Sequence, residues 1–460
     1  MTLRTMRDVP GPRNIAAYWD LFHRRYRYAE VLLELSARYG DIARLPFPGR
    51  DVILLSHPDA IQAVLASKAS YFRIFGQDAL RRITPWGLLA IEGQIHDENR
   101  AQMLLAMRKV LSRFVPTVAA RECRRHLAPF RDGDVIDVRK LGQDVALGVA
   151  ASILYPPIDD KPAEHLDQAE FATLLSRCSA WFLGLPSFMQ SFVFTVDLRS
   201  AFRVLRLRRK LRRQGVEAIQ RARSRAGGEA PGDMLSLLDD GSETKGPMRE
   251  DFLADSLLVT LLAGYETTAN SLAWAVWETS HDPALQSRIA AEGGTMPDDP
   301  FSHESWMNDA HWTDATLRET LRLYPTVWTL TRQAVADYHF DDWLFPGGTV
   351  FVTSQWVTQR DPRWFADPLR FAPERWEQER LLQQAGETPV AKRPAFAYFP
   401  FGGGNRFCIG KATFEFEGSM LLASFFRDWI TEPVPECRPR PQFFGTMRVD
   451  RPMMVRLRRR

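Results

Sequence analysis

The sequence predicts a mainly α-helical protein with small β-sheets, and three observations carry that prediction. Apolar residues recur at three- and four-residue spacing over Asp251–Ser280, His311–Leu323 and Lys411–Trp429, the period of helices with one buried face. Strand-like stretches are short. No internal repeat, low-complexity block or Ser/Gly linker divides the 460 residues.

Along the chain, DIARLPFPGRDVILLS (Asp41 to Ser56) alternates about a Pro-Gly turn and reads as a β-hairpin. GQIHDENR then places His96 and Arg100 four apart on one helix face. SAWFLGLPSFMQSFVF (Ser179 to Phe194) is an aromatic run between helices. RVLRLRRKLRRQ (Arg203 to Gln214) sets Val204, Leu207 and Leu211 on one face among charges, a solvated helix. RAGGEAPGD (Arg225 to Asp233) is the best boundary candidate, and it reads as an interhelical loop. GGTVFVTS (Gly347 to Ser354) and MMVRL (Met453 to Leu457) read as late strands. The expectation is one domain over residues 1–460, with its chemistry between helices.

Composition is that of a soluble globular chain, 45% hydrophobic and 25% charged. Cys123, Cys178, Cys408 and Cys437 show no pairing rhythm, which argues against a disulfide framework and for a reducing compartment. MTLRTMRDVPGPRN lacks the apolar region of a signal peptide. The most apolar segment, SLLVTLLAGY, is cut off by Glu266, Thr267 and Thr268, too short for a transmembrane anchor. A net charge of +4 gives no reason to expect nucleic acid as a partner. A cytoplasmic location is expected.

FPFGGGNRFCIGK (Phe399 to Lys411) puts a cysteine into a glycine-rich loop ahead of a helix. Zinc needs three or four protein ligands, yet no histidine follows His339 and the next cysteine is Cys437. A haem iron needs only one axial ligand from the protein, so a single thiolate suffices. Gly402, Gly403 and Gly404, and Gly410 after the sulfur, are expected to let the backbone approach a flat macrocycle and take positive φ. The helix N-terminus favours a thiolate, and the Arg406 guanidinium suits a propionate. A nucleophilic cysteine with a histidine from elsewhere, or a plain buried thiol, stays open on these residues alone.

The pattern Phe401-x-x-Gly404-x-Arg406-x-Cys408-x-Gly410 resembles the haem-binding loop of the cytochrome P450 monooxygenases. Glu319 and Arg322 in DATLRETLRLYP, with Arg375 in FAPERW, resemble the family's buried Glu–Arg–Arg network. AGYETTAN resembles its oxygen-activation groove, with Gly264 opening room, Thr267 as hydroxyl and Glu266 as acid in a proton relay. His96, Arg100 and Arg332 match propionate-binding positions. Gln359, in VTQRDP, departs from the pattern where many relatives carry His, which puts one propionate contact in doubt.

The resemblance implies the P450 fold, with haem b (iron protoporphyrin IX) between the long central helix and the helix after Cys408. Residues 1–70 and about 325–360 would supply most of the β-rich part. It implies O2 as co-substrate and, with no flavin or ferredoxin segment in the sequence, electrons from a separate ferredoxin or flavodoxin and its NAD(P)H-dependent reductase. Arg108, Lys109 and Lys411 would gather at the docking face. An apolar small-molecule substrate (terpenoid, fatty acyl or polyketide-like) would undergo C–H hydroxylation or epoxidation. Its pocket would be lined by Ile83, Trp86, Leu88 and Leu89, by Leu258, Leu262 and Ala263, by Val327, Trp328 and Leu330, and by Phe443, Phe444 and Met447. The run at 179–194 resembles the family's lid. The same fold could instead couple phenols, isomerise or dehydrate, or serve as a non-catalytic haem ligand sensor.

Overall fold

The secondary-structure elements run α1 (Tyr28–Tyr39), β1 (Ile42–Leu45), β2 (Val52–Leu55), α2 (Pro58–Leu65), β3 (Phe72–Arg73), α3 (Gly93–Arg113), α4 (Val115–Leu127), β4 (Val135–Asp137) and α5 (Val138–Leu154). Then come α6 (Met234–Leu238), α7 (Pro247–Thr279), α8 (Pro283–Gly294), α9 (His303–Met307) and α10 (His311–Leu323). The strands β5 (Leu330–Ala334), β6 (Tyr338–Phe340), β7 (Trp343–Phe345) and β8 (Val350–Thr353) lead to α11 (Gln355–Thr358), α12 (Glu374–Gln384) and α13 (Lys411–Asp428). The chain closes with β9 (Trp429–Pro433), β10 (Pro441–Phe443), β11 (Met447–Val449) and β12 (Met454–Arg459). This computed structural model describes residues 3–12, 27–76 apart from 48 and 68, 81, 84–154, 234–238, 247–299, 302–386 and 393–460, with isolated positions between 209 and 220. Ile83, the 179–194 run, the 225–233 loop, and Val204, Leu207 and Leu211 lie outside the described residues.

The architecture is mainly helical with small sheets, as the periodicity predicts. The long helix begins one turn earlier than expected, at Pro247. The helix after the cysteine stops at Asp428, because Trp429 pairs with Arg459 and opens β9. At 33 residues, α7 spans roughly 50 Å, and α5 packs along it. Their backbones meet at Gly142, where a Cβ would stand 2.7 Å from the Ala269 carbonyl oxygen. The α10 N-terminus has no cap of its own; Glu292 on α8 accepts the Trp312 and Thr313 N–H groups instead. The expected hairpin forms as β1–β2 and joins a five-stranded sheet in the order β1–β2–β8–β5–β3, with β2 and β8 parallel. The C-terminal strand β12 bridges β4 and β9.

A buried charge network fixes the last third of the chain. Glu319 and Arg322 have no exposed surface and meet through two hydrogen bonds of 2.8 and 2.9 Å. Glu319 also accepts from the Ala372 N–H, Trp376 Nε1 and Arg375 Nε, at 2.9, 2.9 and 3.2 Å. Arg322 donates onward to the carbonyls of Gln359, Pro368 and Arg370. One carboxylate and one guanidinium thus tie α10 to the loop 359–372 and to α12. Gln359, the departure from the P450 pattern, is a bracket buried to zero exposure. Its amide donates to the Leu321 and Arg322 carbonyls and its oxygen accepts the Phe399 N–H, so it holds the cysteine-loop entrance. It is absent from the residues around the cationic cavity described below.

Glu417 is buried in α13 against α4, with its Oε1 unpartnered. Burial pushes its carboxyl pKa up to about 8. The folded state therefore holds a proton that the unfolded chain releases. Its stabilisation is complete below the ordinary carboxylate range and is lost as pH rises towards 8. Two outcomes follow. Glu319→Ala should cost about 3–5 kcal/mol of unfolding free energy in urea titrations, because it leaves Arg322 charged and unpaired in the interior. Glu417→Gln should remove a fall in stability of about 1.4 kcal/mol per pH unit between roughly pH 5 and 8, read from urea midpoints across that range.

Candidate functional site

Cys408 stands one turn before α13, its N–H donating 3.0 Å to the Phe401 carbonyl. Burial raises its thiol pKa, against which the N–H groups of Gly410 and Lys411 and the Arg100 guanidinium favour the thiolate. Its surface is nevertheless accessible.

The loop glycines also make close contacts with protein. Gly402 and Gly404 do take positive φ, +72° and +66°. Their neighbourhood is protein, however: a Cβ on Gly404 would lie 2.3 Å from the Leu65 carbonyl oxygen, and one on Gly403 would lie 2.5 Å from the Phe396 ring. Gly403 and Gly404 let the loop settle on residues 395–397 and on α2, while Gly402 lies against the Leu330 side chain. Gly410 has an ordinary φ of −89°; its contribution is an N–H directed at the sulfur.

His96, Arg332 and Arg406 converge on a cavity of about 180 Å³ that Asp97 and Asn405 also line. Arg406 donates to the Leu88 and Ile91 carbonyls at 3.3 and 2.9 Å. Burial and, to a lesser extent, the neighbouring Arg406 charge bring Arg332 down to about 10. Burial lowers the His96 imidazole, which Asp97 opposes through a 2.8 Å contact at Nδ1. The cations share the cavity with the carboxylates of Glu92 and Asp97, which favour the Arg406 charge, and a guanidinium held there is suited to an anion. Arg100 stands apart from this group, bonded to the Phe407 carbonyl beside Cys408.

On α7, Ala263 is exposed, while its neighbours Leu261 and Tyr265 are buried. The Thr267 hydroxyl donates to the Ala263 carbonyl, which leaves its oxygen free to accept. The Thr267 carbonyl accepts from Ser271 and from Thr326, at 3.0 and 3.2 Å. Gly264 looks towards Ala150 of α5, where a Cβ would have ordinary contact at 3.9 Å. Glu266 forms an ion pair with Arg448 of β11, a partner no local pattern announces.

Of the residues expected to line a pocket, Trp86, Leu262, Ala263, Val327, Leu330 and Phe444 keep accessible surface, and Leu89 is exposed. Leu88 and Leu258 are buried. Trp328, Phe443 and Met447 have at most 2% exposure, so they back the wall and do not face a ligand. The Trp328 indole donates to the Phe444 carbonyl at 2.6 Å and packs edge-on against Phe443. Asp255, which the sequence reading passed over, accepts the Trp86 N–H at 3.0 Å and staples the 84–91 loop to α7.

The sequence model described as Cytochrome P450 matches residues 9–456. The chain belongs to the cytochrome P450 family. Along 98% of its length this P450 is 27% identical to a pentalenene oxygenase of Streptomyces avermitilis, of which it covers 96%. It is 26% identical to a cyclooctatin synthase of Streptomyces melanosporofaciens, with 94% of this chain and 92% of that one covered. A human mitochondrial sterol 26-hydroxylase is 36% identical over 39% of this chain and 33% of its own. A retinoic acid-bound cyanobacterial structure, CYP120A1, superposes with a TM-score of 0.79 at 20% identity, covering all of both chains.

Membership implies a haem cofactor, and the residues present fit one. Cys408 offers one accessible sulfur, which is all that a macrocycle supplying four ligands to its iron needs from the protein. The paired arginines suit its carboxylates. Gly404→Ala should lower stability by about 1–3 kcal/mol through positive-φ strain together with the Leu65 contact, measured as a fall in the thermal midpoint of the purified protein.

Proposed function

We propose that this protein is a haem-thiolate monooxygenase that places one atom of O2 into an apolar small molecule, by hydroxylation or epoxidation. The observation that carries the reading is Cys408: an accessible thiol that burial holds protonated, with two backbone N–H groups and one guanidinium placed to favour a thiolate. Haem b is the form that a single thiolate without covalent attachment would hold, with His96, Arg332 and Arg406 on its propionates and Arg100 beside the sulfur. Phe401 and Gly410 complete the loop. Bound haem supplies the iron at which dioxygen is activated, with electron density pushed from the thiolate.

The protein's own groups do the rest. Thr267 offers its hydroxyl oxygen as acceptor, because its proton is engaged by the Ala263 carbonyl. Glu266 carries protons from solvent towards that hydroxyl. Ala263, Val327, Leu330 and Phe444 orient an apolar substrate and exclude water. A terpenoid substrate is favoured over fatty acyl or polyketide chains, on the likeness to a pentalenene oxygenase and a cyclooctatin synthase. Electrons come from a separate ferredoxin or flavodoxin with its NAD(P)H-dependent reductase, docking over the exposed Arg108 and Lys109 of α3. No described helix is long and apolar enough to cross a membrane, and a cytoplasmic setting with reducing partners suits this chemistry.

The test is turnover. Purified holoprotein with NADPH, surrogate redox proteins and a library of terpene hydrocarbons should yield a product heavier by one oxygen, seen by mass spectrometry. No product across the library would favour a haem ligand sensor. Cys408→Ser should abolish the strongly red-shifted absorption of the reduced carbon monoxide adduct, and its persistence would remove the thiolate assignment.

A further inference from the structure

The Glu266 carboxylate does not stand alone in the α7 groove. Arg448 reaches it from β11, and both side chains are mostly buried, with 15% and 18% of their surface exposed. The β10–β11 hairpin that carries Arg448 is itself pinned to the segment after α10. Met447 N–H donates to the Thr326 carbonyl at 2.7 Å, and the Trp328 indole donates to the Phe444 carbonyl at 2.6 Å. Thr326 in turn donates to the Thr267 carbonyl and meets the Ser271 hydroxyl at 2.9 Å. The Arg448 guanidinium lies over the Phe444 ring, 5.5 Å from its centre. One short relay of contacts therefore connects Thr267, Thr326, the hairpin, Arg448 and Glu266.

Successive helix residues point about 100° apart, so Glu266 and Thr267 do not share a direction by default. A glutamate has three rotatable side-chain bonds, and an unpaired one would sample many positions at the groove mouth. We propose that Arg448 is a positioning residue for proton delivery: it holds the Glu266 carboxylate at one place beside Thr267, and Phe444 beneath it links that placement to substrate contact. A proton arriving from solvent water is taken up by the carboxylate and released through water towards the Thr267 hydroxyl, so the carboxylate is regenerated and no other bond changes. The inference rests on the monooxygenase reading, because only there does a proton relay have a task. Where the relay fails, electrons leave as hydrogen peroxide and not in oxygenated product.

The experiment compares wild type, Arg448→Gln, Arg448→Lys, Glu266→Gln and the double variant Glu266→Gln/Arg448→Gln as holoproteins. Each is given NADPH, surrogate redox proteins and β-caryophyllene as an apolar probe, and peroxide released per NADPH is measured. Arg448→Gln and Glu266→Gln should each raise that ratio by about threefold or more, and the double variant should rise no further than Glu266→Gln alone. Arg448→Lys, which keeps the charge, should stay near wild type. A second readout needs no turnover: urea unfolding of the same variants should show coupling between the two positions of about threefold or more in the unfolding constant. An unchanged peroxide ratio in Arg448→Gln, or additive effects in both readouts, would overturn the proposal. A wild type that releases peroxide but oxygenates no library compound would count against the monooxygenase reading, whereas the unfolding cycle, which needs no turnover, would still decide whether Arg448 holds Glu266 in place.

Discussion

The cysteine loop depends on a charge pair far from it in sequence. Glu319 and Arg322 are removed from water entirely, which is costly unless every donor and acceptor is matched. Besides the Trp376 and Arg375 side chains, the matching partners are backbone groups: the Ala372 N–H and the carbonyls at 359, 368 and 370. The pair therefore dictates the path of a segment with little regular structure. Gln359 extends that control to Phe399, where the loop to Cys408 begins. A position that departs from the family pattern thus serves as a structural joint.

Electrostatics in the site follow one pattern. Arg332 and Arg406 are both desolvated, and the Arg406 charge disfavours that of Arg332. The Cys408 thiol is pulled in opposite directions by burial and by nearby donors. These are the costs of a chain folded around groups that the polypeptide does not itself supply. An anion between the arginines and a cation at the sulfur would relieve both at once.

Much of this was legible in the sequence where the signal is local. The periods of α7, α10 and α13 show within a few turns, and His311–Leu323 matches its helix to the residue. Cys408 and Thr267 sit in short contiguous patterns that name their chemistry. What was illegible depends on distant packing. The strand β5 takes its partners from β8 and from β3, more than 250 residues upstream. Arg448 means nothing until the hairpin meets α7. At Gly403 and Gly404 the sequence shows that a close approach is needed, but not that Phe396 and Leu65 are among the groups that approach. Trp376 was within reach, being adjacent to Arg375 in the same short motif.

The parallel pairing of β2 with β8 joins residues 52–55 to residues 350–353. On a ribosome adding about 5–20 residues per second, β2 would wait roughly 15–60 s for its neighbour to be made. Until then Val52, Ile53, Leu54 and Leu55, all buried in the finished protein, form an apolar strand with an open edge. Such edges invite pairing with other chains. Yield in a foreign host should accordingly be limited by what shields this strand during synthesis, more than by the stability of the finished fold.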